Sequence, residues 1–274
     1  MAVVSRERGY TIMKTRIISG LAMLPLAILV YVGGLWLQAA AILVAIIGLT
    51  ELYLGLDTMG VKPARNMSYT AIFVLYLLNL IEPGNLNLIM MWVVGVTMAS
   101  LIYGFNLKER KTEDITSTLF GLIYVVFFSF HIVLIDQSEH RILIWLVFLA
   151  AFGTDIMAYF TGMAIGKHKL CPNLSPKKSK EGAVGGVVGS VILCGIFGYL
   201  LGQGEQMLIA CLAIGFVGSI VAQLGDLSAS AFKRQMGIKD YGNLIPGHGG
   251  ILDRFDSVLF TAPLVYYVMQ IILG

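Results

Sequence analysis

Asp226, Lys233, Arg234, Lys239, Asp240, His248, Asp253, Arg254 and Asp256 crowd into one short stretch of an otherwise apolar chain. Asp253 and Asp256 are three residues apart. On a helix, positions i and i+3 share a face, so both carboxylates can converge on one cation. The positive end of a helix beginning there favours anions as well. Asp226 closes the preceding apolar run. Three carboxylates without His or Cys partners suit a hard ion such as Mg²⁺, which is commonly held by a few carboxylates together with substrate phosphates. Bridging carboxylates leave room for a second cation. The competing reading makes Asp253 pair with Arg254 or Lys233 as plain interfacial ion pairs. Against it stands Pro246-Gly247-His248-Gly249-Gly250, whose glycines permit tight turns and close approach of a ligand to backbone.

A second polar stretch, GKHKLCPNLSPKKSKEGAVGG, carries Ser175, Lys177 and Lys178. Pro172 and Pro176 exclude a continuous helix. Lysines with glycines suit phosphate oxygens, although the motif of a phosphate-binding P-loop is missing. A topology signal explains the lysines equally well but not the shaped backbone. Asp155 lies inside an apolar run, with Tyr159 and Gly162 on the same helical face. A carboxylate there is costly and marks a polar cavity or an interhelical hydrogen bond. Glu51 poses the same choice, and His131 reads as structural. Cys171, Cys194 and Cys211 follow no metal or disulfide spacing and read as small packing residues.

The elements that must position these residues are membrane helices. Of 274 residues, 57% are hydrophobic and only 13% charged, with a mean hydropathy of +0.83. Such a chain cannot cover itself with polar surface, and its continuous apolar runs select spanning helices over barrel strands. Nine spans are expected: 17–36, 38–56, 69–81, 86–105, 117–135, 142–162, 183–201, 207–231 and 257–273. The third is short. The expected class is an all-α integral membrane protein of about nine transmembrane helices, its C-terminal half forming a polar cavity open to the cytoplasm. The expected organisation is a polar segment over 1–16, N-terminal helices over 17–135 and a catalytic region over 136–274. With nine spans, 18 of the 19 Lys and Arg residues fall on one side, Arg141 being the exception. That side, with the N-terminus, is therefore expected in the cytoplasm. It would attract anionic lipid and nucleotide. No nucleic-acid partner is expected.

The run from Ser230 through Lys233-Arg234, Lys239-Asp240 and Pro246-Gly-His248-Gly-Gly-Ile-Leu-Asp253-Arg254-Phe-Asp256 resembles the signature of the CDP-diacylglycerol synthases, or phosphatidate cytidylyltransferases. Asp155, Tyr159, Gly162, Lys167, Ser175-Pro-Lys177-Lys178 and Glu181-Gly182 add to it. The resemblance is strong over the C-terminal half; the first half matches only in being apolar. Ser179-Lys180 departs from the threonine and bulky apolar residue more usual there, which touches loop packing rather than chemistry. The resemblance implies that CTP and phosphatidate react to CDP-diacylglycerol and pyrophosphate, with Mg²⁺, in a bacterial-type inner membrane. By matching position, Asp226, Asp253 and Asp256 would hold metal. Lys233, Arg234, Lys239 and Arg254 would neutralise phosphates, and His248 would donate to a phosphate oxygen. Ser175, Lys177 and Lys178 would form a second phosphate or nucleotide clamp, with Asp155 in the substrate cavity. A homodimer is the protein partner the resemblance implies.

Three rivals stay in view. A CTP-dependent lipid kinase would send a lipid alcohol to the γ-phosphate and release CDP. A CDP-alcohol phosphotransferase would need an aspartate motif absent here. A transporter would place acidic residues at midplane and show inverted repeats.

Overall fold

The computed structural model describes residues 24–244 and 249–274. It is built from helices α1 (Leu24–Val32), α2 (Gly34–Asp57), α3 (Arg65–Ile81), α4 (Leu86–Tyr103), α5 (Thr112–Asp136) and α6 (Arg141–Ile165). A two-stranded hairpin follows, β1 (Lys169–Cys171) and β2 (Ser175–Ser179), then α7 (Lys180–Leu201), α8 (Glu205–Gln235) and α9 (Leu252–Leu273). Seven of these, α2 and α4 to α9, are long and apolar enough to cross a membrane. The protein is an all-α membrane protein.

The expected segmentation needs adjustment in places. Residues 1–23, including the polar lead-in and the start of the first expected span, lie outside the described residues. The break after α1 falls at Gly33 and Gly34, both at positive φ (67° and 58°), so residues 34–36 belong to α2. A left-handed backbone ends a helix, and glycine adopts it without a Cβ penalty. Helix α3 has only 17 residues, at the lower limit for a span. Helix α8 runs four residues beyond Ala231, and α9 begins five residues before Ser257. In both cases polar residues continue the helix past its apolar part, which hydropathy cannot see. The shaped loop expected after the sixth span is this hairpin. Its strands pair antiparallel, Lys169 with Ser179 and Cys171 with Ser175.

The chain divides into two compact units. One takes the chain up to Leu122 together with Ile238–Arg254. The start of α5 is fixed here by Asp114, which accepts the Lys62 N–H at 2.6 Å and the Lys111 N–H at 2.9 Å. One turn on, Thr118 Oγ accepts the Ala64 N–H at 2.8 Å. Buried Tyr53 on α2 donates to the Thr118 carbonyl and exchanges a hydrogen bond with Ser68. These buried donors and acceptors thus find partners, as a water-free interior favours.

The other unit takes Ile123–Gly237 and Phe255–Gly274. Its centre is α7, packed between α6 and α8. Close approach to α6 is possible because α7 shows it glycines. A Cβ on Gly182 would stand 2.8 Å from the Ala158 carbonyl, and one on Gly186 would stand 3.0 Å from that of Thr154. Small residues at such crossings let helix backbones meet where lipid supplies no hydrophobic drive. Ser179 caps α7 by accepting the Gly182 N–H at 3.1 Å. Glu181 accepts the N–H groups of Lys167 (3.1 Å) and His168 (3.2 Å), tying the hairpin's entry to the first turn of α7.

Candidate active site

In the unit containing Ile238–Arg254, two carboxylates shape the loop before α9. Glu51 of α2 is 6% exposed. Its Oε1 accepts the Ile251 N–H at 3.0 Å and its Oε2 accepts the Leu252 N–H at 2.8 Å. Asp253 Oδ2 accepts the N–H groups of Tyr241 at 2.8 Å and Gly250 at 2.9 Å. The glycines make this possible. Gly249 has φ +84° and passes so near Asp253 that a Cβ would lie 2.7 Å from Oδ2, while a Cβ on Gly250 would run into the Glu51 carboxylate. Lys239 is exposed on this loop. Arg254 is half-buried, and its Nε is buried without a hydrogen-bond partner among the described residues. Such a donor is costly unless a ligand supplies an acceptor. His248 lies outside the described residues.

The second unit gathers Asp155, Ser175, Lys177, Lys178, Asp226, Lys233, Arg234 and Asp256. The carboxyl of Asp256 is buried and accepts the Ser257 N–H at 2.8 Å. The charges of Asp226, Lys233 and Asp155 all act on it. Contact between α8 and α9 at Gly225 sets this arrangement: a Cβ there would meet the Asp256 carbonyl at 2.8 Å. Asp226 follows immediately in sequence. Lys178 reaches from β2 to form an ion pair with Asp226 Oδ2, and Ser230 donates to Oδ1 at 3.3 Å. Lys233 and Arg234 stand in the last turn of α8.

Beside this group lies a cavity of about 310 Å³. Asp155, Tyr159 and Gly162 form one wall, as their shared helical face predicts, and Lys177 and Lys178 form another. Asp155 is exposed, directly after a π-helical turn at Leu149–Gly153 that rotates the following face of α6. Ser175 sits at the far end of β2, paired with Cys171, and is not among the cavity walls.

Among the described residues, no three His, Cys, Asp or Glu side chains form a ready-made metal cage. Mg²⁺ does not require one, since it keeps waters and takes substrate phosphates. Asp226 and Asp256 fit such an ion. They offer only hard oxygen, and two like charges acting on each other in a partly buried place are relieved by a cation.

Sequence reasoning missed three contributors. Gly225 looked like one more small residue, and its role shows only where two helices touch. Ser179 and Gln223 line the cavity. Ser179, in a Ser-x-x-Gly arrangement before an apolar run, was open to recognition as a helix cap; Gln223, one turn before Asp226, carried only its polarity inside a span.

A sequence profile described as the cytidylyltransferase family matches residues 14–272. A Synechocystis protein named phosphatidate cytidylyltransferase is 33% identical over 94% of this chain and 97% of its own length. One of the same name from Staphylococcus haemolyticus is 35% identical over 92% of this chain and 95% of its own. A third, from Bacillus subtilis, is 48% identical over 44% of each chain.

Proposed function

This chain belongs to the cytidylyltransferase family, and we propose that it is a phosphatidate cytidylyltransferase, joining CTP and phosphatidate into CDP-diacylglycerol with release of pyrophosphate. The observation that carries this is the full-length similarity to proteins of that name, together with opposed carboxylates and lysines beside a cavity. A phosphate oxygen of phosphatidate attacks the α-phosphorus of CTP. A phosphorus–oxygen bond forms there, and the bond from the α-phosphorus to the α,β-bridging oxygen breaks, so that pyrophosphate leaves with its electron pair. No protein base is needed, because a phosphate monoester is ionised near neutral pH.

Both reactants are anions, so catalysis is mainly positioning and charge compensation. Asp226 and Asp256 would hold Mg²⁺, and sequence spacing adds Asp253, three residues before Asp256 on the same helix. When bound, the ion would offset charge on nucleotide phosphates. Lys178, now paired with Asp226, would turn to a phosphate oxygen when substrate arrives, and Lys177 lies beside it on β2. Lys233 and Arg234 at the end of α8 would face the leaving pyrophosphate. The buried Arg254 Nε is a donor suited to a phosphate acceptor. Lys239, His248 and Ser175 enter on the resemblance alone. Asp155 and Tyr159 would border the substrate cavity, whose apolar walls suit the glycerol and acyl carbons.

The proposal includes nine spans, a cytoplasmic site in a bacterial inner membrane, room for a second cation and a homodimer. The test is purified protein with labelled CTP and phosphatidate. A labelled lipid with pyrophosphate is expected. Release of CDP with a newly phosphorylated lipid would replace the reading by a lipid kinase.

A further inference from the structure

We infer that Glu51 is a positioning residue for this reaction: its carboxylate, delivered from α2, holds the start of α9 and so sets the orientation of Asp253 and Arg254 in its first turn. The inference rests on the proposed activity. Its basis is that both oxygens are used. Oε1 takes the Ile251 N–H at 3.0 Å and Oε2 the Leu252 N–H at 2.8 Å. These are donors that a helix start leaves without intrahelical partners.

A helix start is ordinarily satisfied by a local Ser, Thr, Asp or Asn, whose side chain takes the N–H groups two or three residues on. Here the local residues are Gly249, Gly250 and Ile251, none of which can cap through a side chain. The cap comes instead from 200 residues earlier in the chain. A local cap satisfies a helix end wherever that end lies; a remote one also fixes its place.

Space for the carboxylate is reserved. A Cβ on Gly250 would collide with it, and one on Gly242 would stand 2.6 Å from Oε1. Asp253 grips the same loop through Tyr241 and Gly250, and its charge acts on Glu51. Two neighbouring carboxylates repel, yet each is held by two backbone donors. Two of the free donors at the positive end of α9 are thereby taken by Glu51.

The experiment uses the full-length enzyme with two variants that disturb one contact from opposite sides, Glu51→Gln and Gly250→Ala. Each should lower kcat about 10- to 100-fold, the scale on which misplaced groups act. KM for CTP and for phosphatidate should stay within about threefold, since ground-state binding is not what is lost. Amide exchange in peptides covering 249–256 should quicken, while α7 stays protected. The double variant should be no worse than the worse single, because both remove one contact. Faster exchange with unchanged kcat would make Glu51 merely structural, and unchanged exchange in both variants would overturn the inference outright. If the wild type makes no cytidylated lipid, the activity reading fails, and the exchange measurement still decides whether Glu51 holds the helix.

Discussion

Gly225 lies against the backbone carbonyl of Asp256, with no room for a side chain between α8 and α9. The contact brings Asp226, the next residue, within electrostatic reach of the Asp256 carboxyl. Gly225→Ala should therefore separate the two helices. Overpacking of this kind costs about 1–3 kcal/mol of stability. Turnover should fall about tenfold or more, since displacement near reacting groups is amplified. Purified variant, checked for folding by size exclusion in detergent, gives the measurement; full activity would mean that the helix contact does not set the carboxylate spacing.

Asp256→Asn keeps the shape and the hydrogen bond from Ser257 but removes the charge that opposes Asp226. Turnover should drop about 10²- to 10³-fold, the scale seen when one electrostatic contributor to a transition state is lost. The protein should remain folded, because the substitution removes a buried negative charge. An Asn variant that turns over normally would take Asp256 out of the chemistry.

Lys178 pairs with Asp226 and also lines the cavity. Lys178→Ala should raise KM for CTP or phosphatidate roughly 10- to 100-fold, as loss of a charged hydrogen bond worth about 1.5–3 kcal/mol implies. Steady-state kinetics with each substrate varied in turn would identify which one it meets. With both KM values unchanged, the lysines of β2 would be topology signals only.

Asp114 supplies a contrast, because it has no part in the proposed chemistry. Its two oxygens accept the N–H groups of Lys62 and Lys111. Asp114→Ala leaves both donors without that acceptor and should cost about 1–3 kcal/mol. Thermal unfolding in detergent should shift downward, while kcat per folded molecule should stay near wild type. A large loss of kcat at unchanged stability would contradict a purely structural role.

Much of this was legible in the chain. Hydropathy located every long helix among the described residues, because a span is predominantly apolar. It misplaced the boundaries of α8 and α9, where polar residues such as Lys233 and Asp253 continue a helix beyond its apolar part. Asp155, Lys177, Lys178, Asp226 and Asp256 were named from charge inside or beside apolar runs, and they lie in one compact unit. Glu51 was noticed only as an expensive intramembrane charge. Its partners are backbone N–H groups at 251 and 252, which carry no residue signature, so sequence could not name them. Gly225 was invisible for a related reason: its importance is the absence of an atom facing another helix.

The central claim is that Asp226 and Asp256 hold a divalent ion which lets two anions react. The most direct measurement is Mn²⁺ binding, followed by its paramagnetic resonance signal in wild type, Asp226→Asn and Asp256→Asn, alongside lipid product formation from CTP and phosphatidate. Wild type should bind Mn²⁺ and require a divalent ion for product, and both variants should lose binding and turnover together. Undiminished Mn²⁺ binding in both variants, or full turnover in a chelator, would contradict the account.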